Sequence, residues 1–268
     1  MTPEDYLNAG NLRESLQLLQ ERVRKDPSNA KDRIFLFQLL VIMGQWERAL
    51  TQLKVVKELD ERSIPMSLTY QQLIVCEQYR EQVFAGKCDP IVFGKPEDWM
   101  AMLIHALRLS AEEKYEASHE LRHNAFEKAP TCCGLIDDQA FEWLADSDPR
   151  IGPVFEAYID GRYFWIAQES VQLIMIEEPT DLRDLVWQPA HFTWSNGGES
   201  YGFLPTRYPF SYQVDDQLAL SRKTIWEAND KEMSIGYGQK MLTTDRSDFA
   251  VMDVRKIVFN RDLIQEKV

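Results

Sequence analysis

Gly44-Gln45-Trp46-Glu47-Arg48-Ala49-Leu50-Thr51-Gln52-Leu53 decides the fold, because it repeats Gly10-Asn11-Leu12-Arg13-Glu14-Ser15-Leu16-Gln17-Leu18-Leu19 at a spacing of 34 residues. Glycine lies over glycine, Ala49 over Ser15, and Leu50 and Leu53 over Leu16 and Leu19; Asp60 follows Asp26 at the same spacing. That spacing is the period of tetratricopeptide hairpins, pairs of helices that bury their apolar faces only by stacking on neighbouring pairs. Gly44 permits the tight turn inside the hairpin. Trp46 adds apolar area at its end, and Ala49 lets the two backbones approach. Pro27 stops the second helix of the first copy, having no N–H to continue it. The helix before Gly44, Arg33 to Met43, is apolar nearly all round, as a helix between neighbours must be.

A third copy is expected two periods on. Trp99 to Leu109 reads as its first helix and Lys114 to Lys128 as its second, with Ala117 and Leu121 in the slots of Ala49 and Leu53. Glu112-Glu113-Lys114 stands where the glycine turn belongs, and the stop at Ala129-Pro130 comes one residue late. Tyr70 to Ala85, closed by Gly86, reads as an additional helix. Three units suffice for a stable stack, whose surface is of the kind that holds an extended or helical peptide.

Past Cys133 the texture changes to short β-rich runs separated by turn dipeptides. Val154 to Ile159 and Arg162 to Ile166 flank Asp160-Gly161, a strong hairpin signal, because that pair supplies the positive φ angles of a primed turn. Further strands are expected at Val171 to Ile176, Val186 to Trp194, Tyr201 to Leu204, Thr224 to Glu227, Ile235 to Leu242 and Phe249 to Phe259, and a short helix at Phe141 to Leu144. The expected class is α+β. TPR-like helical repeats over residues 1–130 precede a mostly antiparallel, β-rich α+β domain over residues 131–268.

The chain of 268 residues carries a net charge of −13, which repels phosphate backbones and anionic lipid at long range and disfavours nucleic acid and membranes as partners. Its longest apolar run, Phe35 to Met43, is too short to span a bilayer. The acidic start, Met1-Thr2-Pro3-Glu4-Asp5, does not read as a signal peptide. A cytoplasmic location is expected. Cys76, Cys88, Cys132 and Cys133 form no C-x-x-C pair, and adjacent Cys132 and Cys133 cannot close an ordinary disulfide, so free thiols are expected.

His119-Glu120-Leu121-Arg122-His123 matches the H-E-x-x-H of zinc hydrolases, in which two histidines one helical turn apart bind zinc and the glutamate activates water. The match lies on the second helix of a repeat unit, in slots facing mostly solvent. No further histidine ligand follows in a zincin pattern, leaving a carboxylate such as Glu142 as third ligand. Surface histidines are the better reading. The clustered Asp and Arg residues of the second half read as pairs that lock loops. No catalytic, cofactor or metal residue is assigned.

Several strings together resemble one family. They are Val23-Arg24-Lys25-Asp26-Pro27, the run Arg33 to Leu40 leading into Gly44 to Leu53, Phe141-Glu142-Trp143, Asp148-Pro149-Arg150-Ile151-Gly152-Pro153, Asp160-Gly161-Arg162-Tyr163, Pro179-Thr180-Asp181-Leu182-Arg183-Asp184-Leu185-Val186-Trp187 and Pro205-Thr206-Arg207-Tyr208-Pro209. Their order and spacing resemble the ImpE/SciE family, also called TagJ, over nearly the whole chain. The resemblance implies a cytoplasmic, non-enzymatic accessory protein of bacterial type VI secretion. It also implies two partners: the N-terminal helix of the small contractile-sheath subunit (TssB-like), and the ClpV-type AAA+ ATPase that disassembles contracted sheath. The repeat stack is the conventional groove for that helix, an exposed apolar strip on the β domain is the alternative, and the residues do not choose between them.

Overall fold

The structure, a computed structural model, describes residues 1–228 and 234–259. Its first half is helical: α1 (Pro3–Asn8), α2 (Leu12–Lys25), α3 (Ala30–Ile42), α4 (Trp46–Leu59), α5 (Ile64–Phe84), α6 (Asp98–Ala111) and α7 (Tyr115–Lys128). The pairs α1/α2, α3/α4 and α6/α7 are the three hairpins, and α5 is inserted between the second and third. Among the described residues no helix is long and apolar enough to cross a membrane.

The hairpin turns share one construction. Gly44 adopts φ 64°, its N–H donates to the Val41 carbonyl (3.0 Å), and the Gln45 N–H donates to the Leu40 carbonyl (2.8 Å). This double bond pattern is the Schellman closure that satisfies the last carbonyls of a helix. Gly10/Asn11, Gly86/Lys87 and Glu113/Lys114 repeat it. Glu113, at φ 61°, thus holds the third turn in shape without glycine, at a cost of roughly 1 kcal/mol for a side chain in the left-handed region.

Glu113 also corrects the register. It lies one residue beyond two full periods from Gly44, so Ser118 and Arg122, not Ala117 and Leu121, take the buried slots of Ala49 and Leu53. A matching contact confirms the shift. The Ser15 hydroxyl donates to the Pro3 carbonyl (2.7 Å) and the Ser118 hydroxyl to the Ala106 carbonyl (2.6 Å), each twelve residues back.

The second half begins at β2 (Gly134–Ile136), after the two-residue β1 (Ile91–Val92) between α5 and α6. It continues through β3 (Gln139–Phe141), β4 (Leu144–Asp146), β5 (Val154–Ile159), β6 (Arg162–Ala167), β7 (Val171–Ile176), β8 (Trp187–Trp194) and β9 (Glu199–Pro205). A four-residue helix α8 (Asp216–Ala219) precedes β10 (Thr224–Ala228), β11 (Ser234–Gly238), β12 (Met241–Thr244), β13 (Asp248–Ala250) and β14 (Lys256–Phe259). Residues 229–233 and 260–268 of the 131–268 unit lie outside the described residues.

The hairpin at Asp160-Gly161 forms with both residues at positive φ, and Val171–Ile176 is a strand end to end. Three expectations change. Phe141 to Leu144 is no helix but the end of β3 and the start of β4, pinned where the Glu142 N–H donates to Asp245 (2.7 Å). Ile235 to Leu242 divides into β11 and β12 at Gly238, φ 91°. Phe249 to Phe259 divides into β13, a single 3₁₀ turn and β14.

Nine strands form one sheet in the order β1-β6-β5-β9-β8-β7-β14-β2-β3, antiparallel except at β1/β6. One face of this sheet packs on a three-stranded sheet, β13-β12-β4, around Phe155, Ile166, Ile174, Phe192, Leu242 and Ile257. The other face packs on the helices. There a single buried cluster runs from Leu7 and Leu19 through Phe37 and Leu73 to Trp165, Trp187 and Tyr208. The molecule is thus layered helix, sheet, sheet, as apolar faces on both sides of a sheet demand.

Candidate functional site

The side of α3 and α5 that a hairpin stack could offer to a peptide is taken by the chain's own sheet. Trp187 packs against Trp46 and Tyr70, with ring centroids 6.2 and 6.0 Å apart. Phe203 meets Tyr70, and Trp165 meets Phe84. The guanidinium of Arg183 lies 4.6 Å over Tyr70, and Gln38 Nε2 donates to Asp181 (2.6 Å).

Between these aromatic contacts lies a buried ionic cluster. Arg80, fully buried in α5, donates through Nε and Nη2 to the two oxygens of Glu156 (2.6 and 3.1 Å) and through Nη1 to Glu77 (3.0 Å). The Lys240 ammonium bridges Glu156 and Asp146. Tyr158 and Trp187 donate to Glu77, Tyr163 to Glu156, and Tyr208 to Asp146 (3.0 Å). Burial alone would raise Glu156, but Arg80 and Lys240 outweigh it and hold the carboxyl well below the usual carboxylate range. Asp146 is pushed upward by burial, which its Lys240 partner does not fully offset.

Arg207 completes the join without a carboxylate. Its guanidinium donates to the carbonyls of Val41 and Ile42 at the end of α3 and of Ala219 at the end of α8. Helix C-termini carry partial negative charge and suit a cation. Burial lowers the Arg207 guanidinium to about 10.

Chemically, this cluster has little room to act. The cavity beside Asp146, Glu156 and Lys240 measures about 20 Å³, space for a single water and no substrate. Asp148 and Arg150 are likewise consumed by each other, at 2.6 Å, with the Gly236 N–H donating to the same carboxylate.

His119, Glu120 and His123 are all exposed on α7, opposite its buried Ser118, Arg122 and Ala125. His123 Nε2 lies 4.0 Å from Glu127. Glu142 sits on the β3–β4 turn, its N–H held by Asp245, and among the described residues no three metal-ligating side chains come together. The string therefore lies on the exposed surface of α7, and among the described residues no third ligand stands beside it.

Two open surfaces carry large apolar side chains. A half-open cleft of about 350 Å³ lies where α7 gives way to the sheet, lined by Phe126, Ala129, Pro130, Trp143, Pro149 and Pro153 among others. Phe126 and Trp143 are both exposed. Beyond the helices, the sheet face toward them continues across β9, β8 and β7, carrying the exposed Tyr201 and Met175 and the half-buried His191 between them. Sequence reading allowed for an exposed apolar strip on the β domain but did not place it. A signal existed in Val171 to Ile176, apolar on both faces, which a strand covered on only one side does not need.

Comparison with known proteins gives a consistent picture. The family described as ImpE protein matches residues 138–258. The chain is 46% identical over 260 residues to the type VI secretion system accessory component TagJ of Pseudomonas aeruginosa, covering 97% of this chain and 91% of that one. The crystal structure of a Vibrio parahaemolyticus protein superposes with a TM-score of 0.90 at 27% identity, over 98% of this chain and 99% of that one.

Proposed function

This chain belongs to the ImpE family, and from that premise we propose that it serves type VI secretion as a non-catalytic adaptor. In this reading it holds the N-terminal helix of the small contractile-sheath subunit and links it to the ClpV-type AAA+ ATPase that dismantles contracted sheath. The accessory role rests on the 46% identity to TagJ along nearly the full length. The binding mode is supported by one observation: many of the charged and aromatic side chains in the strings that carry the family resemblance are occupied internally, while Phe126, Trp143 and Tyr201 stand exposed. Asp181 and Arg183 meet α3 and α5, Trp187 and Tyr163 feed the ionic cluster, and Arg207 caps two helices. Side chains locked in this way shape a scaffold and leave no reactive group free.

Two partners need two docking faces, which the cleft at Trp143 and the bare sheet supply. The net charge of −13 favours a basic flank on the bound helix. A fluorescently labelled peptide of the sheath subunit's N-terminal helix, titrated with the full-length protein, is expected to saturate with a Kd at or below tens of micromolar, about −6 kcal/mol or better. No saturable binding in that range would overturn the adaptor reading.

A further inference from the structure

We propose that the cleft beside Trp143 is filled by the chain's own residues 260–268, with Leu263 as the side chain that enters it. A partner that docks at this cleft then has to displace them. What the open sheet face binds plays no part in this, so the closure stands or falls independently of the adaptor reading.

Strand β14 points at the cleft. It lies between β7 and β2 in the large sheet, and residues just before each of those strands line the cleft. Gln168 comes from the 3₁₀ turn that leads into β7, and Thr131 and Cys132 come from the segment that leads into β2. Both neighbours run antiparallel to β14, so the direction of β14 past Phe259 passes between these two segments. The sequence after Phe259 is Asn260-Arg261-Asp262-Leu263-Ile264-Gln265-Glu266-Lys267-Val268.

Register and face select Leu263. Phe259 pairs with Gly134, and in an antiparallel ladder each step past Phe259 is matched by one step back from Gly134. That count sets Arg261 against Cys132, Leu263 against Pro130 and Ile264 against Ala129. Pro130 and Ala129 are walls of the cleft, and Pro130 has no N–H with which to carry a ladder further. Side chains alternate along a strand. Ile257 and Phe259 face the core between the two sheets, and Cys132 packs against the same core, so the alternation of β2 persists upstream of its last pair. Leu263 has the parity of Ile257 and Phe259. On that side lies the smaller sheet, whose β4 gives Leu144 and Ala145 to the cleft.

The chemistry agrees. Among the described residues the lining holds one carboxylate, Asp146, whose oxygens are taken by Lys240, Tyr208 and the Asp148 N–H. The rest of the wall is largely apolar, with Phe126 and Trp143 exposed in it. A volume of about 350 Å³ is at the small end of binding pockets and suits one or two uncharged side chains. Leu263 and Ile264 are the one adjacent apolar pair after Phe259.

The test uses the full chain and two readouts. Arg261→Cys, oxidised with copper phenanthroline, is expected to form an intramolecular disulfide with Cys132, since directly opposed residues stand at disulfide distance; tandem mass spectrometry of the unreduced peptides identifies the pair. Leu263→Asp/Ile264→Asp is expected to leave far-ultraviolet circular dichroism unchanged. It should raise the emission of the apolar dye anilinonaphthalene sulfonate severalfold, because the dye lights up on uncovered apolar surface. Adding Trp143→Ala to that variant should abolish the rise. Coupling to Cys133, Cys88 or a second molecule, or no coupling, overturns the path. Unchanged dye emission, or a rise that persists without Trp143, overturns the filling of the cleft.

Discussion

Replacing Arg80 by Met tests whether the ionic cluster is what joins helices to sheet. Arg80, Lys240 and Arg207 face Glu77, Glu156 and Asp146 in a region closed to water. Taking away one cation leaves Glu156 without its two-pronged partner and Glu77 without its ion pair. Removing one member of a buried pair costs about 3–5 kcal/mol, a large part of a total stability of about 5–15 kcal/mol. With a urea slope of about 2–3 kcal/mol per M, the midpoint should fall by roughly 1–2 M. The fall should be followed by the emission of Trp46, Trp165 and Trp187, which surround the join, and by far-ultraviolet circular dichroism.

The pH dependence carries the sharper prediction. In the parent, Arg80 and Lys240 depress Glu156, so its contribution is present above the unfolded value of about 4.3 and is lost only as pH falls below that. In Arg80→Met burial prevails and Glu156 rises above its unfolded value. The variant is then penalised at neutral pH, and protonation relieves the penalty as pH falls toward about 4.3. The gap between parent and variant should therefore narrow from pH 7 to pH 5. A loss under about 1 kcal/mol, or a gap that stays constant between those pH values, would refute the reasoning.

Other outcomes follow from single positions. Gly44→Ala should destabilise by about 2 kcal/mol or more in a thermal melt, because φ is +64° and the new Cβ would sit 2.2 Å from the Tyr212 ring. Glu113→Gly, at the same place in the third turn, should stabilise by about 0.5–1 kcal/mol, read as a higher urea midpoint. Arg122→Leu should be neutral or stabilising by about 1 kcal/mol. Burial already lowers this guanidinium to about 10, its Nη2 reaches only the hydroxyls of Ser110 and Ser118, and the slot holds Leu53 in the second repeat. A melting temperature several degrees lower would show that Arg122 holds α7 to Asp148.

Much of this architecture was legible because turns and periods are local. Gly10 and Gly44 announced their closures, and Asp160-Gly161 announced its hairpin, from chemistry within a few residues. The register of the third repeat was not legible, since Glu113 does glycine's work and Arg122 occupies a leucine's slot, so neither identity nor polarity marked the place. Phe141 to Leu144 misled for a different reason. Its strands exist because they pair with β2 and with β12, about a hundred residues on in the latter case, and tertiary pairing overrides local preference. The family strings were visible, but their task was not: that Trp187 reaches Glu77 and Arg207 reaches Ile42 is a property of the folded chain alone. The open face at Tyr201 depends on where the helices stop covering the sheet, a boundary that no periodicity encodes.

The reach of Arg207 has a consequence for how the protein is made. Its guanidinium closes the end of α3, 165 residues earlier in the chain. At a synthesis rate of about 5–20 residues per second, the front helices emerge from the ribosome roughly 10–30 s before the residue that caps them. Through that interval the aromatic side of α3 and α5 lacks its native cover, and contacts of such long range form late. The nascent front half is therefore the stage at which this protein is most exposed to chaperones and to aggregation.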